Sequence, residues 1–164
     1  MADSFLVYYV YKYCIFDSVW IGCFKSYNSI SMLKVILIDD EAAPLDILDY
    51  FLNRYFVGQV QVVDRARNID EAYRKILQHN PDLIFLDFNM PRGFGYDLLE
   101  RFPVRRFDVI VMTAYPAYRE RAMQYGILGF LDKPLDPDDF RLAVQAVIEK
   151  RRLNPEGEYF LRKN

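Results

Sequence analysis

Residues 83–95 read LIFLDFNMPRGFG. Four apolar residues, Leu83 to Leu86, run directly into a carboxylate, Asp87, and a loop with Met90, Pro91, Gly93 and Gly95 follows. A short apolar run bounded by turn residues reads as a buried strand. A carboxylate taken out of water is costly unless something compensates it, so an acid at the end of such a strand needs a chemical reason. The reason lies in the ends of the other strands.

From Lys34 the chain alternates between strand-like and helix-like stretches. KVILI (34–38), VQVV (60–63), DLIFL (82–86), DVIVM (108–112) and ILGFL (127–131) are the predicted strands. Leu45, Leu48, Leu52 and Tyr55 recur at helical spacing, with Pro44 near the start. Asn68 and Glu71 have capping-box spacing ahead of a second helix, in which Ala72, Tyr73, Ile76 and Leu77 recur. Residues 96–102 predict a short helix, and residues 117–125 another that stops at Gly126. Asp136 caps a last helix with Phe140, Val144, Val147 and Ile148 on one face and Lys150, Arg151 and Arg152 at its end. Five strands alternating with five helices predict an α/β fold, a parallel doubly wound sheet covered on both faces. Sites in such sheets lie outside the carboxyl ends of the strands.

Composition agrees with one globular domain. The chain has 164 residues, 52% of them hydrophobic and 27% charged, and a net charge of −2 gives no basic surface for nucleic acid. Cys14 and Cys23 do not make a disulfide framework. Residues 1–31 are aromatic-rich but interrupted by Lys12, Asp17 and Lys25, which suits neither a membrane span nor a secretory signal. They read as an extension upstream of a natural start at Met32, with an added hairpin as the alternative. The main domain is expected over residues 32–151.

The strand ends carry the chemistry. Asp39, Asp40 and Glu41 follow the first strand, Asp87 the third, Thr113 the fourth and Lys133 the fifth. Clustered carboxylates repel one another, and a divalent cation relieves that repulsion. Hard oxygen donors suit Mg²⁺, with the Asn89 backbone carbonyl able to complete the shell. Asp87 then stays ionised and can attack phosphorus, giving an aspartyl phosphate. Lys133 neutralises charge, and the Thr113 hydroxyl can bond a phosphoryl oxygen.

LIDDE (37–41), LIFLDFNMP (83–91), VMTAY (111–115) and GFLDKP (129–134), in this order, resemble the CheY-like receiver domain of two-component response regulators. The resemblance implies a flavodoxin-like strand order 2-1-3-4-5. It implies that Asp87 is the phosphoacceptor, that Asp39 and Asp40 are the metal pair and that Asn89 offers its carbonyl. It makes Thr113 the switch hydroxyl, Phe130 the aromatic switch residue and Lys133–Pro134 a cis peptide. It also implies a sensor histidine kinase as partner, a homodimer through the fourth helix, fifth strand and fifth helix, and a cytoplasmic location away from membranes. Such a domain is no enzyme beyond catalysing its own phosphorylation and slow dephosphorylation.

Within that family, residues 113–140 resemble receivers of LytTR-type regulators. The tail EYFLRKN (158–164) resembles the opening strand of their DNA-binding domain. Residues 152–164 are thus expected to be a linker or the start of an output domain outside this chain, through which alone DNA would be bound. Other readings stand beside these. Asp39 and Asp40 alone fit a helix cap, and Phe130 alone fits plain core. The alternative functions are a stand-alone receiver, a receiver-like module that is never phosphorylated, and a Mg²⁺-dependent phosphohydrolase with an Asp nucleophile. The last typically places its nucleophile in a D-x-D pair after the first strand, whereas here the acids at 39 and 40 are adjacent.

Overall fold

The computed structural model describes residues 32–90, 93–154 and 160–161. The extension expected at 1–31 lies outside these, as do Pro91 and Arg92 of the loop after Asp87. Five parallel strands, β1 (Leu33–Ile38), β2 (Val60–Ala66), β3 (Leu83–Asp87), β4 (Asp108–Thr113) and β5 (Gly129–Asp132), form one sheet in the order β2-β1-β3-β4-β5. Five helices alternate with them: α1 (Ala42–Tyr55), α2 (Ile69–His79), α3 (Gly95–Glu100), α4 (Arg119–Met123) and α5 (Pro137–Leu153). Fold class and strand order match the expectation. The last helix runs past the expected domain end at Arg151.

The central strands are largely apolar on both faces because both faces are covered, whereas the edge strand β2 carries Gln61, Asp64 and Arg65. Ile36, Ile38, Ile84, Leu86, Val109 and Val111 pack with residues of α2, α3 and α4. Val35, Leu37, Leu83, Phe85, Ile110, Met112 and Leu131 point the other way, toward α1 and α5. Phe140 anchors that second layer; it is fully buried and its ring stacks on Phe85 at 5.5 Å. Burying a side chain of this kind contributes about 2–3 kcal/mol.

Local signals set the helix ends. Asn68 Oδ1 accepts from Glu71 N at 2.9 Å, but the Glu71 carboxylate takes the N–H of Arg67, one residue before the cap. Asp136 Oδ1 accepts from the N–H groups of Asp138 and Asp139, and Pro137 opens α5. The expected helix over 117–125 is broken into a 3₁₀ turn (Pro116–Tyr118) and the shorter α4, and Gly126 follows with φ 60°. At the end of α5, Lys150 and Arg151 pair with Asp108 at 2.6 and 2.9 Å. These basic residues therefore tie α5 to the amino end of β4 as well as meeting the helix dipole. Phe160–Leu161 form a short antiparallel ladder with Val104–Arg105.

The strand boundaries differ from the expected ones where it matters most. Asp87 and Thr113 are the last residues of β3 and β4, paired in register with Met112 and Asp132, and do not lie beyond the strands. Sheet pairing therefore fixes the backbone of both.

Candidate functional site

The sheet order places the carboxyl ends of β1, β3, β4 and β5 side by side, and six of the expected residues, Asp39, Asp40, Asp87, Asn89, Thr113 and Lys133, meet there. Asp39 follows β1 and is fully buried; its N–H bonds the Ala66 carbonyl at 3.1 Å. One of its carboxylate oxygens accepts from Glu41 N at 3.0 Å, and the other from Lys133 Nζ at 2.7 Å. Lys133 also lies 3.4 Å from Asp87 Oδ1. Asp39, Asp40 and Asp87 each offer an oxygen within 4.8 Å of the others.

Asp87 itself is buried, and the Asn89 N–H donates to it at 3.4 Å. Its pKa is pushed from the ordinary 3.8 up to about 6, chiefly by burial and also by the Asp39 charge, against the pull of Lys133 and the Asn89 N–H. Burial alone would lower Lys133. Its bond to Asp39 and the charges of Asp87 and Asp39 outweigh that, so its pKa stands above the usual lysine value.

Above Asp87 an open cleft of about 470 Å³ is lined by Asp40, Glu41, Asn89, Met90, Thr113, Ala114, Tyr115 and Lys133. Asp39 lies beneath it. The backbone turns away after Thr113, whose Oγ1 accepts from Tyr115 N at 3.1 Å. That hydroxyl keeps its own hydrogen for a ligand. On the Asp87 side, Gly95 makes the turn possible. A Cβ there would stand 3.0 Å from Phe88 Cδ2 and 3.2 Å from the Asp87 carbonyl. The Lys133–Pro134 peptide is cis.

Phe130 is not in the cleft. It is buried in the layer that carries α2–α4, beneath the Arg119 guanidinium, whose central carbon is 4.4 Å from the ring centroid. Sequence reasoning missed Tyr115, Met90 and Ala114 as cleft walls and Arg119 as the cover of Phe130. The proximity of Tyr115 and Ala114 to Thr113 in the chain was the available signal for the first group. Nothing in the sequence signals the cover, because it depends on where the 3₁₀ turn ahead of α4 delivers the arginine.

Among the described residues no helix is long and apolar enough to cross a membrane. The chain is 34% identical over 122 residues to an uncharacterized response regulatory protein of Vibrio cholerae, covering 74% of this chain and 51% of that protein. It is 31% identical over 109 residues to the sensory transduction protein LytT of Bacillus subtilis, covering 65% of this chain and 44% of that one. The chain thus spans about half the length of the curated relatives it matches. The REC domain of AraT, a response regulator from Geobacillus stearothermophilus, superposes with a TM-score of 0.67 at 28% identity, over 76% of this chain and 98% of that one. The family described as the response regulator receiver domain matches residues 35–145. With the receiver strand order and this match over most of its length, the chain belongs to the response regulator receiver family and is most like the receivers of LytT and LytR regulators.

Proposed function

We propose that Asp87 is the phosphoacceptor of a two-component switch, modified by a sensor histidine kinase with Mg²⁺ present. One observation carries this reading. The Asp87 carboxylate sits at the base of an open cleft, 3.4 Å from an ammonium and within 4.8 Å of two further carboxylates. Three clustered acids facing one lysine leave excess negative charge, and the Asp87 pKa is raised, mainly by burial and in part by the Asp39 charge. Hard oxygen donors with that excess fit Mg²⁺, which Asp39, Asp40, Asp87 and the Asn89 main-chain carbonyl would hold. When bound, the ion supplies charge neutralisation.

The chain's own residues do the rest. A carboxylate oxygen of Asp87 attacks phosphorus. The new P–O bond forms as the P–N bond of the donor phosphohistidine breaks, and the leaving imidazole nitrogen keeps the electron pair and takes a proton from solvent. The Lys133 ammonium and the free hydrogen of Thr113 Oγ1 then bond phosphoryl oxygens. Drawing Thr113 and Lys133 toward the new charge favours the inward place of Phe130 and repacks the face of α4, β5 and α5. That face would dimerise or meet an output domain, a LytTR-type DNA-binding domain in a longer protein. The setting is the cytoplasm, and the chain turns over no substrate beyond its own phosphorylation and slow dephosphorylation.

The test is intact-protein mass after incubation with acetyl phosphate and Mg²⁺. The expected result is a gain of one phosphoryl group that EDTA prevents and Asp87→Asn abolishes. Equal labelling of the Asn variant would overturn the assignment.

A further inference from the structure

We propose that Arg119 is a positioning residue that holds the Phe130 ring inward and ties it to the edge carrying Asp87. The proposal rests on the reading of Asp87 as phosphoacceptor and Phe130 as the switch ring.

One guanidinium makes two contacts. Its plane lies over Phe130, 4.4 Å from the ring centroid. Its NH2 group lies 3.2 Å from Asp132 Oδ2. Asp132 is the last residue of β5, pairs in register with Thr113 and directly precedes Lys133. The ring and the cleft residues are thus joined through one side chain at the start of α4.

The ion pair alone would do little. The side chains of Arg119 and Asp132 are 48% and 57% exposed, and ion pairs in that setting contribute little. What gives the contact a role is the geometry of arginine. A planar cation can stack on a ring while its edge bonds a carboxylate, whereas an ammonium cannot do both as well. Phe130 is only 8% exposed although its cover is half-exposed, so the arginine seals a ring at the margin of the core. The same helix offers an internal control. Arg121 lies over Tyr96 at 3.8 Å, an equivalent cation–ring contact that has no carboxylate link to β5 among the described residues.

In the described state the ring is inward, and Arg119 covers it there. Arg119 therefore favours the arrangement that phosphorylation also favours. Two influences on one equilibrium are reciprocal, so removing Arg119 must weaken binding of a phosphoryl mimic.

The experiment titrates the full chain with beryllofluoride and Mg²⁺, followed by amide NMR, for wild type, R119A, R119K, R121A, F130A and R119A/F130A. R119A is expected to weaken binding about two- to five-fold, the size of a partly exposed cation–π contact. R119K should recover part of the loss, R121A should bind as wild type, and R119A should have no further effect in the F130A background. Binding by R119A equal to or tighter than wild type overturns the proposal, as does an equal loss with or without the Phe130 ring. Failure of wild type itself to bind beryllofluoride overturns the phosphoacceptor reading and this proposal together. That result is distinct from binding with a silent cycle.

Discussion

Replacing Asp87 with Asn should stabilise the domain at neutral pH in the absence of divalent cations. Asp87 titrates at about 6 in the folded chain against 3.8 ordinarily. Each factor of ten in a protonation equilibrium is about 1.4 kcal/mol, so keeping this acid ionised in the folded state costs roughly 3 kcal/mol. The sign follows from proton counts. Between about pH 4 and pH 6 the folded state holds a proton that the unfolded state has lost, so stability falls as pH rises through that window, and the loss is complete above it. Asn keeps the shape and removes the charge. It also takes away the second partner of Lys133, 3.4 Å distant. The net gain should therefore be about 1–3 kcal/mol, several degrees in melting temperature for a domain of this size.

Thermal or urea unfolding at about pH 7.5 and about pH 4, with EDTA present, measures this. The gain should be present at the higher pH and nearly gone at the lower. Adding Mg²⁺ should raise the melting temperature of wild type more than that of the variant. A variant that is equally or less stable than wild type at both pH values would refute the claim that burial and carboxylate repulsion strain this site.

Lys133→Ala leaves the fully buried Asp39 carboxylate, among the described residues, with the Glu41 N–H as its hydrogen-bond partner, and should cost about 3–5 kcal/mol in urea unfolding while slowing phosphorylation. An unchanged unfolding midpoint would contradict the 2.7 Å pair. Gly95→Ala pushes a methyl group to 3.0 Å from Phe88 and 3.2 Å from the Asp87 carbonyl, and should lower stability by about 1–3 kcal/mol in a melting experiment. Arg151→Ala removes the bonds to the Asp108 carboxylate and the Asp82 carbonyl, leaving Lys150 on Asp108. The urea midpoint should fall by the equivalent of about 1–3 kcal/mol with an unchanged slope.

The alternation of apolar runs with 3.6-period stretches was enough to read the parallel sheet, because both faces are covered and the central strands β1, β3 and β4 are therefore largely apolar. Asp39, Asp40, Asp87, Thr113 and Lys133 were legible for a related reason: polar groups at the ends of buried strands stand out. The last strand positions were not. The expected strands stopped at Leu86 and Met112, because a carboxylate and a hydroxyl look like turn residues. Their backbones nonetheless continue the ladder, pairing with Met112 and Asp132. Contacts set by three-dimensional delivery were invisible. Arg151 meets Asp108 across 43 positions of chain, and Arg119 reaches Phe130 only because the helix expected at 117 begins as a 3₁₀ turn. The Asn68–Glu71 spacing marked the right helix end, yet Glu71 bonds one residue further out than the capping box predicts.

The position of Phe130 outside the cleft limits how any signal can travel. No side chain lining the cleft is the ring, so a change at Asp87 reaches it only through residues that belong to both regions. Met90 is such a residue, lining the cleft and lying in the same core cluster as the ring, and two further routes run through the strands. Thr113 ends β4, two residues after Val111, which pairs directly with Phe130. Lys133 follows Asp132, whose carboxylate holds the arginine that covers the ring. Both routes run along the paired strands β4 and β5, whose backbone bonds resist independent motion, so displacement of one end is passed along the ladder and is not absorbed locally. Burial, with the Asp39 charge adding to it, already makes ionised Asp87 cost roughly 3 kcal/mol, so a further negative charge there would call on nearby cations. The cationic group that lines the cleft is Lys133, adjacent to Asp132. If Asp87 is phosphorylated as proposed, a response that begins with Lys133 would reach the anchor of Arg119 through the adjoining residue, Asp132.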